Sequence, residues 1–462
     1  MSPAAHGEGR LPLWGALALG VWAAATAFRP ELAAPAVAIA VVWWTLLTPA
    51  RWLGLFFGAA LLLPPLPIPI GDSGPHPSLM IAALGVLAGF IWLSEWRFRM
   101  ASLNLAFAAL FTILLASVAP AAIYSGEVAA AGSLARVLLF GISVYVFFYT
   151  AYGPGSGITA ARSVRMLYAA AVLAALFACV DFYFQFPAPA GYGPQFVWLE
   201  SGVYRRAQGL FYEASTLGNF CAFFLVMIAV ALSRPPAQSP VPRKWLIPGG
   251  SVLLAALVLS YSRASLVNLA IALGVLIWRN RRRVRLVRIG ALAAAAALVI
   301  WLVFPAFVEA YLLRLSASAE YFFTSPEGVL SGRLASWRTL LDWVAANPWQ
   351  ALTGIGYKTL PYTNYLGAPV VADNMYLSLL VETGVAGLAA LVWLNIAIVR
   401  AALRARESLY STWILCFWAG QTVQMMSGDL LTYWRVLPVY FFVLALACGA
   451  DDRPSSSARL HQ

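Results

Sequence analysis

The sequence predicts an all-α fold, a polytopic bundle of about 12 to 14 transmembrane helices with one long outer loop that contains short helices. The 462 residues are 62% hydrophobic and only 10% charged, whereas about a quarter of the residues of soluble domains are charged. Apolar runs of about 17 to 22 residues recur along the chain, which is enough to cross a bilayer as a helix. Backbone polar groups in lipid need partners within their own segment, so these runs are expected to be helical. The composition excludes a soluble enzyme, a disordered chain and a disulfide scaffold.

The predicted spans follow one another along most of the chain. They cover residues 11–27, 32–48, 53–69, 79–94, 102–121, 134–151, 163–184, 209–232, 245–261, 264–278, 289–305, 375–399, 410–427 and 431–449. We read the first span as a retained anchor because further spans follow it. The chain then divides into N-terminal helices (1–200), central helices whose outer ends carry arginines (201–305), a loop (306–374), C-terminal helices (375–449) and a tail (450–462).

The net charge of +12 is best explained by membrane topology. With the N-terminus in the cytoplasm and alternating spans, about two thirds of the 30 Lys and Arg residues fall on the cytoplasmic face, as the positive-inside rule requires. Both termini are then cytoplasmic. The basic run 279–288 becomes an anchor at the anionic leaflet, and nucleic-acid binding is the less favoured reading.

Cofactor chemistry is not predicted. The four cysteines all lie in apolar spans, which disfavours a disulfide framework or a zinc site. The outer face has no close pair of carboxylates, whereas an octahedral metal site needs several converging oxygen ligands.

The loop 306–374 is unusually long and is not of low complexity, which is typical of functional loops. Residues 333–346 predict a helix that ends at Asn347-Pro348 and lies along the membrane surface beside a cavity. The apolar residues that predict it are Leu334, Trp337, Leu341 and Val344.

Charged residues near the outer ends of spans are the candidate site, because burying charge there is costly unless it is paired or functional. Arg205 and Arg206 are adjacent before a span, where they either bind a diphosphate together or lie at the lipid headgroups. Glu213 follows them. Arg263 occupies a tight turn, where it either reaches an anionic group or extends to the headgroups.

A second group of candidates surrounds the loop and the span that follows it. Arg333 and Arg338 lie on the predicted loop helix, and Gly354 and Gly356, which flank Ile355 ahead of Tyr357, would allow close backbone approach to a ligand. Asp373 is read as a helix N-cap, as a proton acceptor, or as both. The stripe that faces the bundle interior consists of Asn374, Ser378 and Glu382.

Four ordered stretches within about residues 200–390 resemble the bacterial O-antigen ligase and polysaccharide polymerase superfamily. They are Arg206-Ala-Gln-Gly-Leu-Phe-Tyr-Glu-Ala-Ser215; Ser262-Arg263-Ala264; Gly332-Arg333 with Trp337, Pro348 and Gly354-Ile-Gly356; and Asp373-Asn374-Met-Tyr376-Leu377 with Glu382-Thr-Gly384. The resemblance implies a metal-independent glycosyltransferase of the bacterial inner membrane. The resemblance also implies that the active site is periplasmic and that the donor is a glycan on undecaprenyl diphosphate.

Two departures from the ligase pattern favour a polymerase. Ligases of this superfamily carry a histidine where this sequence has Asp373, and Glu213-Ala214-Ser215 resembles the Glu-Pro-Ser stretch of polymerases. The expected partners are the lipid-linked donor, a glycan or lipid-linked glycan acceptor, membrane lipids, and a chain-length regulator or flippase. A ligase that transfers glycan to lipid A-core is the alternative.

These observations assign a role to each candidate. The expected diphosphate ligands are Arg206, Arg263 and Arg338, assisted by Arg205 and Arg333. The expected base is Asp373, and Glu213 is the second choice. The expected glycan contacts are Asn374, Tyr376, Tyr357 and Glu382. A lipid-linked glycan flippase or transporter is the hypothesis from another class, but no internal repeat relates the two halves of the chain.

Overall fold

A computed structural model describes residues 33–280 and 333–449, apart from positions 49, 67, 69–73, 155–158, 190, 191, 194, 200, 201 and 406, and also residues 309 and 316. The predicted spans 11–27 and 289–305, the first part of the long loop and the tail lie outside the described residues. Within the described part the all-α bundle is confirmed.

The described helices follow the order of the predicted spans. They are α1 (Ala33–Leu46), α2 (Arg51–Leu62), α3 (Pro77–Ile91), α4 (Ser102–Ala116), α5 (Val118–Ser125), α6 (Glu127–Tyr152), α7 (Ala160–Phe184), α8 (Ala214–Leu232), α9 (Arg243–Leu259), α10 (Arg263–Arg279), α11 (Arg333–Ala346), α12 (Pro348–Thr353), α13 (Met375–Arg404), α14 (Leu409–Gln424) and α15 (Leu437–Gly449). Short 3₁₀ turns occupy Leu93–Glu95, Pro236–Gln238, Met425–Ser427 and Leu430–Thr432.

Five of the described stretches are long and apolar enough to cross a membrane: Ser102–Ser125, Glu127–Tyr152, Ala160–Phe184, Ala214–Leu232 and Met375–Arg404. Helices α2, α3 and α15 are apolar but shorter. Helix α8 is the most deeply enclosed of the five, and α10 packs extensively on α14. Helix α8 therefore lies at the centre of the bundle.

A strand pair precedes α8, which the sequence analysis did not predict. Strand β1 (Phe196–Leu199) pairs antiparallel with β2 (Gly202–Arg205), and Val197 lies opposite Tyr204. The Arg206 amide extends the pairing by donating to the Gln195 carbonyl at 2.7 Å. The hairpin therefore fixes the backbone on which the two adjacent arginines stand.

A buried hydrogen-bond network links α8, α10, α14 and α15. Asn219 donates to the side chains of Gln421 at 2.6 Å and Gln424 at 2.7 Å, and Asn268 donates to the same two acceptors at 3.0 and 2.8 Å. The Tyr440 hydroxyl donates to Asn219 Oδ1 at 2.6 Å. Because buried polar groups in a membrane need partners, this network fixes the relative positions of four helices.

The loop helix α11 has the predicted bounds, and Asn347 separates it from α12. Its packing face differs from the predicted stripe. Leu340 is buried and packs with Trp337 and Val344, whereas Leu341 is 53% exposed. One position of the apolar stripe was therefore misassigned, because Leu340 and Leu341 are adjacent and only tertiary contacts choose between them.

Helix α13 is broken at Gly384, whose φ of 73° is not helical. The break frees carbonyls of the preceding turn. The Ile355 amide donates to Val381 at 3.2 Å, and the Gly356 amide donates to Glu382 at 2.8 Å. The two loop glycines allow close approach to two helices: a Cβ at Gly354 would lie 2.4 Å from the Glu382 carbonyl oxygen in α13, and one at Gly356 would lie 2.4 Å from Ala121 in α5.

We predict that Gly384→Ala destabilises the protein by at least about 2 kcal/mol, because the added Cβ combines positive-φ strain with a steric clash. That Cβ would lie 2.1 Å from the Leu352 carbonyl oxygen. Unfolding followed by circular dichroism in detergent micelles measures the change. The matched control is Gly274→Ala in α10, where a Cβ meets nothing within 4 Å and should be neutral or mildly stabilising. Equal midpoints for the two variants would contradict the prediction.

Candidate functional site

A polar cavity of about 330 Å³ lies where α8, α10 and α13 begin. It brings together segments that are more than two hundred residues apart in sequence. Its charged and polar lining includes Gln195, Arg206, Glu213, Ser215, Tyr261, Ser262, Arg263, Arg333, Lys358, Asp373, Ser378, Glu382, Gln424, Ser427, Asp429, Thr432 and Tyr433. Among the described residues, no three His, Cys, Asp or Glu side chains form a group that could hold a metal ion.

The two adjacent arginines have different environments. Arg206 lines the cavity, and its Nε donates to the Ser260 carbonyl at 2.7 Å. Arg205 is buried and forms an ion pair with Asp181 at 2.6 Å, and it also donates to the Phe186 carbonyl at 2.7 Å. Successive side chains of a strand point to opposite faces, so β2 directs the two guanidinium groups apart. The expectation that both arginines bind one group is therefore wrong.

Arg263 lines the cavity from the first position of α10. The predicted tight turn before it is present, since α9 ends at Leu259 and α10 begins at Arg263. The Ser262 side chain caps α10 by accepting from the Ser265 amide, and Tyr261 adopts a positive φ of 50°. The cap and the turn hold the start of α10 against the cavity.

Asp373 lines the cavity and pairs with Arg333, whose Nε lies 3.1 Å from Asp373 Oδ2. It does not cap α13. Asn374 is the N-cap, and its side-chain oxygen accepts from the amides of Tyr376 at 3.1 Å and Leu377 at 3.2 Å. The N-cap reading of Asp373 was therefore wrong, and Asn374 has a structural function at this helix start.

Glu213 and Tyr433 both line the cavity. The Ser215 hydroxyl donates to Glu213 Oε2 at 2.8 Å. Burial raises the pKa of Tyr433, and the nearby negative charges of Glu213, Asp429 and Asp373 raise it further. Tyr433 is therefore a neutral phenol that lies among three carboxylates.

Lys358 and Asp429 were not among the predicted site residues. Lys358 Nζ lies 2.5 Å from Asp429 Oδ2, and both residues line the cavity. Asp429 also accepts from the Leu431 amide at 2.8 Å, which fixes the carboxylate within the turn between α14 and α15. Asp429 also carries a charge near the outer end of a predicted span, so the same criterion could have identified it. Its pairing with Lys358 depends on the fold and could not be predicted from the sequence.

Several predicted residues do not line the cavity. Arg338 is exposed on α11, and Tyr357 is 1% exposed in the hydrophobic core. The Tyr376 hydroxyl donates to the Thr422 carbonyl at 2.8 Å, which ties α13 to α14. The residues from the predicted set that the cavity does bring together are Arg206, Glu213, Arg263, Arg333, Asp373 and Glu382.

Backbone strain is concentrated at the cavity. In the described part of the chain, the non-glycine residues with positive φ are Gln185, Tyr261, Lys358 and Asp373, and the last three of these line the cavity. Non-glycine residues in this region cost about 1–3 kcal/mol each and cluster at functional sites. The strain is a second, independent indication that this cavity is a site.

We predict that replacing Arg205 lowers the stability of the protein, whereas replacing Arg206 does not. Arg205→Met leaves Asp181 buried without its partner and should lower the free energy of unfolding by about 3–5 kcal/mol. Adding Asp181→Leu should restore most of that loss, whereas Arg206→Gln alone should change stability little. Denaturation midpoints in detergent compare the variants. A wild-type midpoint for Arg205→Met would show that the ion pair is not structural.

Comparison with protein families agrees with this site. Residues 249–392 match the family model described as O-antigen ligase. The matched segment contains Arg263, Arg333, Lys358, Asp373 and Glu382, whereas Arg206 and Asp429 lie outside it. A search of curated proteins finds no match to the chain. This match confirms the resemblance of the chain to the O-antigen ligase and polymerase superfamily over residues 249–392.

Proposed function

We propose that this protein polymerises oligosaccharide repeat units carried on undecaprenyl diphosphate at the periplasmic face of the bacterial inner membrane, with both termini in the cytoplasm. The observation that carries the proposal is the arrangement of three arginines, from the hairpin, the start of α10 and the start of α11, around one polar cavity. These residues are Arg206, Arg263 and Arg333.

The arginines suit a diphosphate leaving group. A glycosyl diphosphate leaves as an anion, so the transition state gains more from fixed positive charge than from a proton donor. Guanidinium groups match phosphate geometry through paired donors and remain charged near a membrane surface. The bond from Arg206 Nε to the Ser260 carbonyl holds that guanidinium beside the turn that carries Arg263. This preorganisation supports metal-independent transfer.

Asp373 is the proposed proton acceptor for the acceptor hydroxyl. The hydroxyl oxygen forms a bond to the anomeric carbon, the bond from that carbon to the diphosphate oxygen breaks, and the hydroxyl proton passes to Asp373. The diphosphate leaves with the electron pair, and in-line attack inverts the anomeric configuration. The contact with Arg333 orients the Asp373 carboxylate. Glu213, which also lines the cavity, is the second choice.

A ligase that transfers glycan to lipid A-core is the second candidate, because the matched family is described as O-antigen ligase. The polymerase is favoured by Asp373, which stands where ligases carry histidine, and by the Glu213-Ala214-Ser215 stretch. Deletion of the gene distinguishes them. Lipopolysaccharide bearing a single repeat unit indicates a polymerase, whereas accumulation of free lipid-linked polymer indicates a ligase.

We expect Arg206→Gln and Arg263→Gln each to lower kcat/KM about 10²- to 10³-fold, which is the usual cost of removing one donor that stabilises developing negative charge. Purified protein in nanodiscs and lipid-linked repeat units extracted from the source cells provide the assay. Arg400→Gln, on the exposed far end of α13, is the matched control and should keep wild-type activity. Full activity in both cavity variants would remove the diphosphate assignment.

Asp373→Asn should lower kcat at least about 100-fold, because the amide cannot take the proton from the acceptor hydroxyl. Glu213→Gln should have a smaller effect if Asp373 is the acceptor. Single-turnover rates with lipid-linked repeat units measure the chemical step. Wild-type rates in both variants would eliminate both candidates.

A further inference from the structure

One end of the cavity is acidic and is formed by Lys358, Glu382 and Asp429; we refer to it as the acidic end. Glu382 is only 1% exposed. Its Oε1 accepts from the Leu360 amide at 3.3 Å, whereas its Oε2 is buried without a hydrogen-bond partner among the described residues. A buried carboxylate oxygen on a cavity wall needs a donor, and that donor can come from a ligand.

The orientation of Glu382 is fixed by the fold. Its backbone carbonyl accepts from Gly356 across the break of α13, and its side chain accepts from Leu360 in the same loop. The same loop places Lys358 at a positive φ of 59°, a conformation that non-glycine residues adopt at a cost. The loop therefore holds both charged side chains against the cavity.

The acidic end contains two carboxyl groups and one ammonium group. Lys358 is paired with Asp429 at 2.5 Å, and its positive charge also acts on Glu382. Burial by itself lowers the pKa of the Lys358 ammonium, but the charges of Asp429 and Glu382 outweigh burial and hold it above its ordinary value. Lys358 therefore remains positively charged, and the carboxyl groups of Asp429 and Glu382 are its neighbours.

This charge balance selects the ligand. A phosphate or a uronate at the acidic end would face two carboxyl groups and one ammonium that is already paired. A sugar hydroxyl instead donates to a carboxylate oxygen and accepts from an ammonium, so an uncharged sugar satisfies both types of group. The anionic part of the substrate is then left to the three arginines of the same cavity.

We propose that the acidic end is the acceptor subsite, in which Glu382 Oε2 accepts a hydrogen bond from a hydroxyl of an uncharged terminal sugar. The proposal rests on the proposed glycosyl transfer, because it names the part of the cavity that holds the attacking glycan. Glu382 is here a specificity-determining residue, separate from Asp373, which takes the proton.

Direct binding tests the subsite without turnover. The probe is a neutral oligosaccharide released by mild acid from the lipid-linked glycans of the source cells and titrated into protein in nanodiscs by calorimetry. We expect Glu382→Met to weaken binding about 10- to 100-fold, the usual effect of losing a hydrogen bond to a charged group. Glu127→Met, an exposed residue at the start of α6, is the matched control and should bind within twofold of wild type.

A second probe distinguishes the loss of a specific contact from misfolding of the variant. An oligosaccharide ending in a uronate should bind the wild type more weakly than the neutral probe, and Glu382→Gln should narrow that difference because it removes one negative charge and keeps the side-chain shape. Unchanged neutral binding in Glu382→Met, or no binding by the wild type, overturns the proposal. Binding that depends on Glu382 without transfer from any lipid-linked donor would retain the subsite and remove the proposed function.

Discussion

The break of α13 at Gly384 is the constraint on which the cavity depends. An uninterrupted helix would use the carbonyls of Val381 and Glu382 internally, and the amides of Ile355 and Gly356 would lose these acceptors. With the break, the amides of Ile355 and Gly356 bond to these carbonyls, and the loop lies against the start of α13. A non-helical backbone near membrane depth is tolerated when protein groups satisfy it. Here the loop supplies those groups and at the same time brings Lys358 beside Glu382.

The buried hydrogen-bond network of Asn219, Asn268, Gln421 and Gln424 adjoins the cavity and supports its lining. Gln424 belongs to both, because it lines the cavity and also accepts from Asn219 and Asn268. Its own amide donates to Ser265 at 3.1 Å, in the first turn of α10. The helix that begins with Arg263 is therefore tied to α8 and α14 by hydrogen bonds within an apolar bundle, where such bonds have few competitors. A displacement of α10 would break several of them together.

The cavity combines arginines with carboxyl groups, which fits the proposed transfer reaction. In the proposed reaction, arginines from three chain segments hold the anionic donor, and Glu382 at the acidic end accepts a hydrogen bond from the acceptor sugar. Tyr433 lies close to Glu213, Asp373 and Asp429, so the carboxylates attributed to proton transfer and to acceptor binding share a neutral neighbour.

The sequence by itself determined the class of fold, the bounds of α11 and six of the eight charged residues that line the cavity. These features depend on local properties, namely apolar run length, helix-stop residues and the cost of charge at the ends of membrane helices. Tertiary structure decided which charges meet. It directed Arg205 to Asp181 through strand alternation, assigned the N-cap to Asn374 in place of Asp373, and paired Lys358 with Asp429, a residue far away in the sequence. Periodicity and composition report on neighbours along the chain, whereas an ion pair or a cavity depends on distances that only the packed bundle sets.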